Sequence, residues 1–140
     1  MNAVFADTFY WAALTSTGDA AHKQAVELGR HIAPESIVTT DEVLAEYLTF
    51  FSGARPRVRA QVGVNVAGLI ENPALLVIPQ SRESFLAGLE LYRARPDKGY
   101  SLTNCISMHT MRQHGITEVL IITNDRHFEQ EGFRVLFRDL

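Results

Sequence analysis

Short apolar segments alternate with amphipathic helical patterns along the chain, and this alternation constrains the fold more than any other feature. The apolar segments span residues 3–6, 37–40, 75–78, 119–122 and 133–137. Strands that alternate with helices form βαβ units, whose right-handed crossovers build a mainly parallel sheet covered by helices. We therefore predict an α/β fold with a central sheet of about five strands.

Helical patterns and helix-ending residues separate these strands. The predicted helices span residues 8–14, 19–32, 41–51, 58–71, 85–93 and 102–114. Thr39 and Glu42 have capping-box spacing ahead of the third helix. Ser81 and Ser101 are predicted to cap the last two helices, and Gly115 is predicted to end the last one.

The composition fits one globular domain over residues 1–140, with 46% hydrophobic residues. The apolar runs are far shorter than the roughly 20 residues of a membrane helix, and no signal pattern opens the chain, so we expect a cytoplasmic protein with no membrane contact. A single cysteine, Cys105, excludes an internal disulfide and a multi-cysteine zinc site. The net charge of -3 argues against a generally basic surface for nucleic acid, but leaves room for a local basic patch.

Acidic residues follow three of the apolar segments. Asp7 comes directly after the first strand, Glu46 lies in the helix after the second, and Asp125 follows the fourth. Ligands of open parallel sheets bind outside the carboxyl ends of the strands, so these three acids are expected to converge there. Converging carboxylates repel one another unless a cation lies between them. Hard ions such as Mg²⁺ or Mn²⁺ take oxygen ligands, and the sequence therefore predicts a site for one of them.

Each acid also has a simpler structural explanation. Asp7 is placed to cap the first helix, and Asp125 lies in a polar turn where aspartate is common. Glu42 and Glu46 share a helix face, but the charge of Glu42 already suits the helix N-terminus. Glu46 lies in a largely apolar stretch, where an acid is costly unless it is paired or binds metal. We prefer Glu46 as the site residue and keep Glu42 as the alternative.

Other polar residues are weaker indicators of a site. Arg55, Arg57 and Arg59 form a predicted basic loop that is either a solvated surface or a phosphate contact. Cys105 and His109 share a helix face, but a lone cysteine among apolar residues is more often a small core residue than a metal ligand. The sequence contains neither the dinucleotide-binding glycine pattern nor a Walker motif, so no nucleotide cofactor is indicated.

Four blocks of the sequence, taken together, are typical of one family. They span residues 4–11, 38–46, 97–107 and 122–128, and Gly132 and Phe133 follow them. In this order, the blocks resemble the PIN domains of toxin subunits in VapBC-type toxin–antitoxin pairs. The resemblance implies a three-layer α/β/α sandwich, an acidic Mg²⁺- or Mn²⁺-dependent endoribonuclease site, a homodimer, and a small antitoxin whose tail blocks the site.

The resemblance also implies a role for particular residues. Asp7, Glu46 and Asp125, helped by Asn104, are expected to hold one or two ions, with Asp7, Asn104 and Asp125 as the metal ligands. A metal there lowers the pKa of a water molecule for in-line attack on an RNA phosphate. The expected supporting residues are Thr8, Thr39 or Thr40, Glu42, Asp97 and Ser101, and the expected RNA-backbone contacts are Arg55, Arg57, Arg59 and Arg126.

One position departs from the family pattern. The family has an aspartate three residues after the helix-capping serine, and this chain has Asn104 there. An amide offers a carbonyl oxygen but no negative charge, so metal affinity should fall, although Asp97 in the preceding loop can partly substitute. The sequence leaves three accounts open: an attenuated enzyme, an inactive member retained for binding, or a variant made to suppress toxicity.

Two other functions fit part of the sequence. Haloacid-dehalogenase-like phosphotransferases also begin with a strand that ends in aspartate and threonine, but position 9, where they need a second aspartate, is Phe9. A catalytically inactive PIN-like module that binds RNA or an antitoxin is the alternative that Asn104 favours.

A partner surface is predicted on two neighbouring helices. Residues 41–51 and 58–70 carry more apolar surface, including Tyr47, Phe50 and Phe51, than a small sheet is expected to bury. We expect them to form a groove for an antitoxin segment. A homodimer contact is expected elsewhere, at the helix that ends at His114.

Overall fold

The structure, a computed structural model, describes residues 2–18, 20–122 and 126–136. In this part of the chain the sheet consists of β1 (Val4–Ala6), β2 (Ile37–Thr40), β3 (Leu76–Ile78), β4 (Glu118–Leu120) and β5 (Arg134–Val135). All neighbouring strands pair in parallel, in the order β3-β2-β1-β4-β5. The predicted α/β sandwich with a parallel sheet is confirmed, and β1 lies at its centre.

Helices cover the sheet. They are α1 (Thr8–Thr15), α2 (Ala20–Gly29), α3 (Asp41–Phe50), α4 (Pro56–Glu71), α5 (Arg82–Ala94), α6 (Leu102–Gln113) and α7 (His127–Gln130), with a 3-10 turn at Pro34–Ser36. Ser81 and Ser101 cap α5 and α6 as predicted, each in a capping box, and Gly115 follows α6 with a φ of +66°. None of the described helices is long and apolar enough to cross a membrane.

The core lies around the two central strands. Every residue of β1 is buried, and Val119 and Leu120 of β4 are fully buried beside it. Cys105 on α6 is part of this core, where burial raises the pKa of its thiol, as expected for a structural cysteine. On the outer side of α6, Gly88 of α5 allows close packing, because a Cβ there would lie 2.4 Å from a side-chain carbon of Ile106.

Some predicted boundaries were wrong. The second helix ends at Gly29 and not at residue 32, because three tighter 3-10 type hydrogen bonds close its last turn. The predicted basic loop is the start of α4: Arg55 is its N-cap residue, and Arg57 and Arg59 are helical. Pro56 explains this difference, since proline at the first helical position has a backbone angle suited to the helix.

Tyr47 was wrongly expected to be exposed. Its ring is buried and packs edge to face on Phe51. Its hydroxyl accepts a hydrogen bond from the amide of Asn65 on α4 at 3.1 Å and also bonds to Thr15 on α1. A tyrosine can be buried in the core when its hydroxyl has hydrogen-bond partners. The hydroxyl of Tyr47 thus connects α3 with α1 and α4.

Candidate active site

Asp7 lies at the carboxyl end of the central strand. Asp7 is only 1% exposed. Its backbone N–H donates to the carbonyl of Leu120 at 3.0 Å, and this hydrogen bond joins the end of β1 to the end of β4. Asp7 occupies the N-cap position of α1, but its side chain makes no capping hydrogen bond. The simple explanation of Asp7 as a helix cap is therefore not supported.

Glu46 is hydrogen-bonded to Thr8, the residue that follows Asp7. The hydroxyl of Thr8, which is buried, donates to Oε1 of Glu46 at 2.6 Å. This bond joins Glu46 on α3 to the start of α1. The two helices follow β2 and β1, which are neighbouring strands. The bond supports Glu46 over Glu42 as the partner of Asp7. Glu42, one turn earlier on α3, lines a shallow groove with Ser81 and Thr103, at the starts of α5 and α6.

The predicted capping role of Thr39 was wrong. Thr40 is the N-cap residue of α3, and its hydroxyl accepts the N–H of Val43 at 3.1 Å. Thr39 instead donates to the carbonyl of Ala6 at 2.9 Å, which joins the ends of β1 and β2. Thr39 and Thr40 are adjacent, so the sequence allows either of them as the N-cap residue of α3. The residue at which β2 ends determines which of them caps the helix.

Asp125 lies outside the described residues. Strand β4 ends at Leu120, whose carbonyl accepts the backbone N–H of Asp7. The chain that leads to Asp125 therefore leaves the sheet at the same end of the strands at which Asp7 lies. Among residues 2–18, 20–122 and 126–136, no three His, Cys, Asp or Glu side chains form a group that could hold a metal ion.

Asn104 takes part in the capping box of α6. Its Oδ1 accepts the backbone N–H of Ser101 at 3.0 Å, and its own N–H donates to Oγ of Ser101 at 3.0 Å. A backbone N–H needs an acceptor, so this bond fixes which end of the amide faces the cap. The other end is the Nδ2 group, a donor that suits a phosphate oxygen and not a cation.

The sequence matches a known family over most of its length. The family model described as "PIN domain" matches residues 4–133. The chain belongs to the PIN-domain family. No curated protein sequence matches it at a significant level.

Two solved structures resemble this PIN domain. The Mycobacterium tuberculosis VapC20 toxin, described as cleaving the sarcin–ricin loop, is 27% identical, with a TM-score of 0.82 over 94% of this chain and 96% of that one. FitAcB from Neisseria gonorrhoeae is 13% identical, with a TM-score of 0.63 over 96% of each chain, and supports the fold alone. The predicted resemblance to VapC-type PIN domains is confirmed.

The remaining predicted residues of this PIN domain lie on its surface. Asp97 is exposed in the loop before α6, where its nearest cation is Lys98 at 3.8 Å. Arg126 precedes α7 and pairs with Glu129 at 3.3 Å. Arg55, Arg57 and Arg59 are exposed at the start of α4, and Arg59 also donates to the carbonyl of Ser52.

A cluster of polar and charged residues was not predicted from the sequence; we call it the Glu131 cluster, and it consists of Glu131, Arg95, Tyr100 and Arg112. The Glu131 side chain is only 5% exposed and accepts hydrogen bonds from the other three, each at 2.9 Å. Burial opposes its ionisation, but the hydrogen bonds from the two arginines and Tyr100 outweigh burial and lower its pKa. Burial and the bond to Glu131 raise the pKa of Tyr100 to about 12.

No local sequence pattern predicts this cluster. Its members come from a loop, a helix end and the residue after α7, separated by up to 36 positions. Isolated charged residues of this kind are typical of a solvated surface, and only the fold brings them together.

Proposed function

We propose that this protein is a divalent-metal-dependent endoribonuclease that acts as the toxin of a type II toxin–antitoxin pair. The observation that carries the proposal is Asp7, a buried carboxylate at the end of the central strand whose side chain does not cap the helix it precedes, with Glu46 bonded to the adjacent Thr8. This position, at the carboxyl end of a central parallel strand, is where the ligands of such sheets bind. In this proposal the protein acts in the cytoplasm, where its RNA substrate lies.

The residues of the site fit a hard divalent ion. Asp7 and Glu46 provide only oxygen donors, and Cys105 is a buried core residue, which favours Mg²⁺ or Mn²⁺ over softer metals. Asp7, Glu46 and Asp125 would hold the ion. When bound, a divalent ion supplies Lewis acidity, which lowers the pKa of water and neutralises charge on a phosphate.

The chain's own residues orient the site. Thr8 fixes one oxygen of Glu46 and leaves the second for a ligand or a water proton. The hydroxyls of Thr39 and Ser101 are engaged with the backbone at Ala6 and Asn104, so their support is to hold the strand end and the helix start in place. Arg55 and Arg57 are free to contact the RNA backbone, since no described acid pairs with them.

The first substrate to test follows from the similarity to VapC20. That toxin is described as cleaving the sarcin–ricin loop. We propose a structured ribosomal RNA loop as the substrate class of this protein. Selection among RNA loops depends on shape and unpaired bases, which the acidic residues themselves do not read.

The position of Asn104 provides the test of activity. In Asn104→Asp, one carboxylate oxygen can keep the bond to the Ser101 N–H while the other becomes available to a cation. We expect tighter Mn²⁺ binding by titration calorimetry and RNA cleavage faster by at least about tenfold, or roughly 1.4 kcal/mol of transition-state stabilisation. Expression should also inhibit growth more strongly.

A matched control for this test is Asn72→Asp. Asn72 also accepts a backbone N–H through its side chain, from Ala74, but lies at the far end of α4. It should leave metal binding and cleavage unchanged. Equal metal affinity and equal cleavage in the parent protein and in Asn104→Asp would place position 104 outside the site, and the third acidic position would then have to move to Asp97 or be abandoned.

A catalytically inactive binding module is the second candidate. The capping role of the Asn104 amide favours it, because the Nδ2 group left over is a hydrogen-bond donor. The same assay separates the two functions. If neither the parent protein nor Asn104→Asp cleaves RNA with Mg²⁺ or Mn²⁺, and both bind RNA or an antitoxin, the binding module is correct.

An apolar surface beside the site suits an antitoxin segment. Phe9 on α1 and Phe50 on α3 are exposed and meet edge to face at 5.8 Å, and Leu48 is exposed on the same helix. Phe9 follows Thr8, and Phe50 lies one turn after Glu46, so a peptide on this surface would reach the acidic residues. Exposed apolar patches of this kind usually mark interfaces.

We expect Phe50→Asp to weaken antitoxin binding by at least about tenfold, because such aromatic anchors carry much of an interface's free energy. Calorimetric titration with the antitoxin protein measures the change. Leu76→Asp, at an exposed apolar residue of the edge strand β3, is the matched control. An equal loss of antitoxin affinity in both variants would show that the antitoxin does not bind specifically at the α1–α3 surface.

We also propose a homodimer, with a contact along α5 and α6. Phe85, Leu86 and Tyr92 are exposed on α5, which packs against α6, the helix that His114 follows. In the light-scattering test of the dimer, a monomer at micromolar concentration would contradict this proposal.

A further inference from the structure

A groove of about 490 Å³ lies where α3 and α5 begin, and the first turn of α6 forms its third side. Its volume is within the range of small-ligand sites, which begins at about 300 Å³. Because α3 and α5 follow β2 and β3, the groove lies at the carboxyl ends of these strands, the same edge of the parallel sheet as Asp7. We call it the Phe85 groove, and its lining includes Glu42, Arg82, Phe85, Leu102, Thr103 and Ile106.

One wall of the Phe85 groove combines an aromatic ring with a positive charge. Phe85 is 38% exposed, and the guanidinium carbon of Arg82 lies 5.4 Å from the centre of its ring. No acid among the described residues pairs with Arg82, so its charge is available to a ligand. Unpaired RNA bases stack on aromatic rings and on the planes of arginine side chains, and arginine also binds phosphate. This wall therefore suits a nucleotide.

Glu42 provides a polar edge to the groove. Its side chain accepts no hydrogen bond from any described residue, whereas Glu46 accepts one from Thr8. A carboxylate has acceptor oxygens only, so it favours ligands with N–H donors. Guanine has two neighbouring N–H donor groups on its Watson–Crick edge, while each of the other RNA bases has one. Glu42 should therefore favour guanine over the other bases.

Glu42 also connects the groove with the candidate active site. Glu42 and Glu46 are four residues apart on α3, so their Cβ atoms lie about 6 Å from each other on one face of the helix. An RNA strand with a base against Glu42 would have its backbone beside Glu46. The groove is thus placed to select a base next to the phosphate that is cleaved.

We propose that the Phe85 groove binds one unpaired guanine of the RNA substrate. The base stacks on the wall formed by Phe85 and Arg82, and its two N–H donors face the carboxylate of Glu42. This inference rests on the proposed function, since it names the base that the same site selects. The homodimer contact on α5 then uses Leu86 and Tyr92 and leaves Phe85 to the RNA.

The test measures RNA binding without cleavage. Fluorescent pentanucleotides of uridine, with guanine, adenine, cytosine or uracil as the central base, are titrated with the full-length protein in metal-free buffer of low salt. Fluorescence anisotropy gives the four affinities. We expect the parent protein to bind the guanine RNA at least about fivefold more tightly than the other three, as for a good bidentate contact to a base.

Glu42→Gln should abolish this preference, because an amide offers one acceptor and one donor in place of two acceptors. The substitution also removes a negative charge, which should strengthen binding of all four RNAs equally. Glu83→Gln is the matched control, since Glu83 lies in the first turn of α5, as Glu42 does in α3, but does not line the groove. It makes the same change in charge and should keep the preference for guanine.

Phe85→Ala should weaken binding of the guanine RNA about fivefold or more, because it removes the aromatic ring on which the base stacks. Phe85→Leu, which keeps an apolar side chain but no flat ring, should show the same loss and replaces Phe85→Ala if that variant does not fold. Ile70→Ala is the control, at an exposed apolar residue near the end of α4. It should leave the four affinities unchanged.

Several results would overturn this inference. A parent protein that binds none of the four RNAs, or binds them equally, has no guanine site. A preference for guanine that persists in Glu42→Gln, or an unchanged affinity in the Phe85 variants, would place the base elsewhere. If the Phe85 variants keep their RNA affinity but become monomers in light scattering, the groove belongs to the contact between two copies of the chain.

Failure of this inference is distinguishable from failure of the proposed function. Cleavage by the parent protein with Mn²⁺, in the absence of any preference for guanine, overturns the role of the groove and leaves the nuclease intact. A preference for guanine that Glu42→Gln abolishes, with no cleavage by the parent protein or by Asn104→Asp, supports the groove and replaces the nuclease with the RNA-binding module.

Discussion

Asp7→Asn should reduce metal-dependent RNA cleavage by about a hundredfold or more, since even residues that only orient metal ligands contribute 10- to 100-fold. The change replaces a carboxylate oxygen with an amide at the end of the central strand and leaves the shape of the side chain almost unchanged. Because Asp7 makes no capping hydrogen bond to α1, the substitution removes a buried charge without removing a helix cap. The metal-free variant should therefore melt no lower than the parent protein.

Two measurements check this expectation together. Cleavage of a fluorescent RNA is followed against Mn²⁺ concentration, and thermal melts are recorded with and without the ion. Mn²⁺ should raise the melting temperature of the parent protein but not of Asp7→Asn, because only a folded state that binds the ion is stabilised by it.

Glu118→Gln is the control for the same exchange of acid for amide. Glu118 begins β4, at the end of the sheet opposite to Asp7, and pairs with Arg134 on the surface. Its cleavage rate and its response to Mn²⁺ should match those of the parent. A sharp fall in the metal-free melting temperature of Asp7→Asn would show that Asp7 is a structural residue and that the metal site is wrongly assigned.

Local sequence signals predicted the elements that local interactions determine. Strand β2 lies at Ile37–Thr40 as predicted, and Ser81 and Ser101 cap their helices as predicted. A serine that accepts the N–H three residues on is recognisable in sequence, because both partners lie within one turn. The order of strands and helices then follows from the handedness of the crossovers.

The candidate site could be predicted only in part, because its geometry depends on contacts between distant segments. The support for Glu46 over Glu42 as the proposed site residue comes from the hydroxyl of Thr8, which lies 38 positions away from Glu46. The burial of Tyr47 depends in the same way on Thr15 and Asn65. Pairings of this kind have no sequence pattern, so alternation of polar and apolar residues cannot find them.

Glu131→Ala should lower the free energy of unfolding by about 3 kcal/mol at pH 7, the lower end of the range for breaking a buried ion pair. The lower end applies because Arg95 and Arg112, the two arginines left without their acid, are 40% and 44% exposed and regain water. Tyr100 also loses its acceptor. Urea unfolding at pH 7 measures the change, and Glu118→Ala, which breaks a pair whose arginine is 76% exposed, should lose no more than about 1 kcal/mol.

The pH dependence of stability gives an independent check on the same carboxylate. Hydrogen bonds from both arginines and Tyr100 hold the pKa of Glu131 below its ordinary value of 4.5, in spite of burial. A lowered pKa in the folded state means that the stabilisation is fully present above pH 4.5 and is lost as the pH falls through the folded value. The parent protein should thus lose stability on acidification below pH 4.5 more steeply than Glu131→Gln, which has no proton to gain at this position. Parallel curves for the two proteins across this range would mean that the Glu131 cluster contributes no charge-dependent stability.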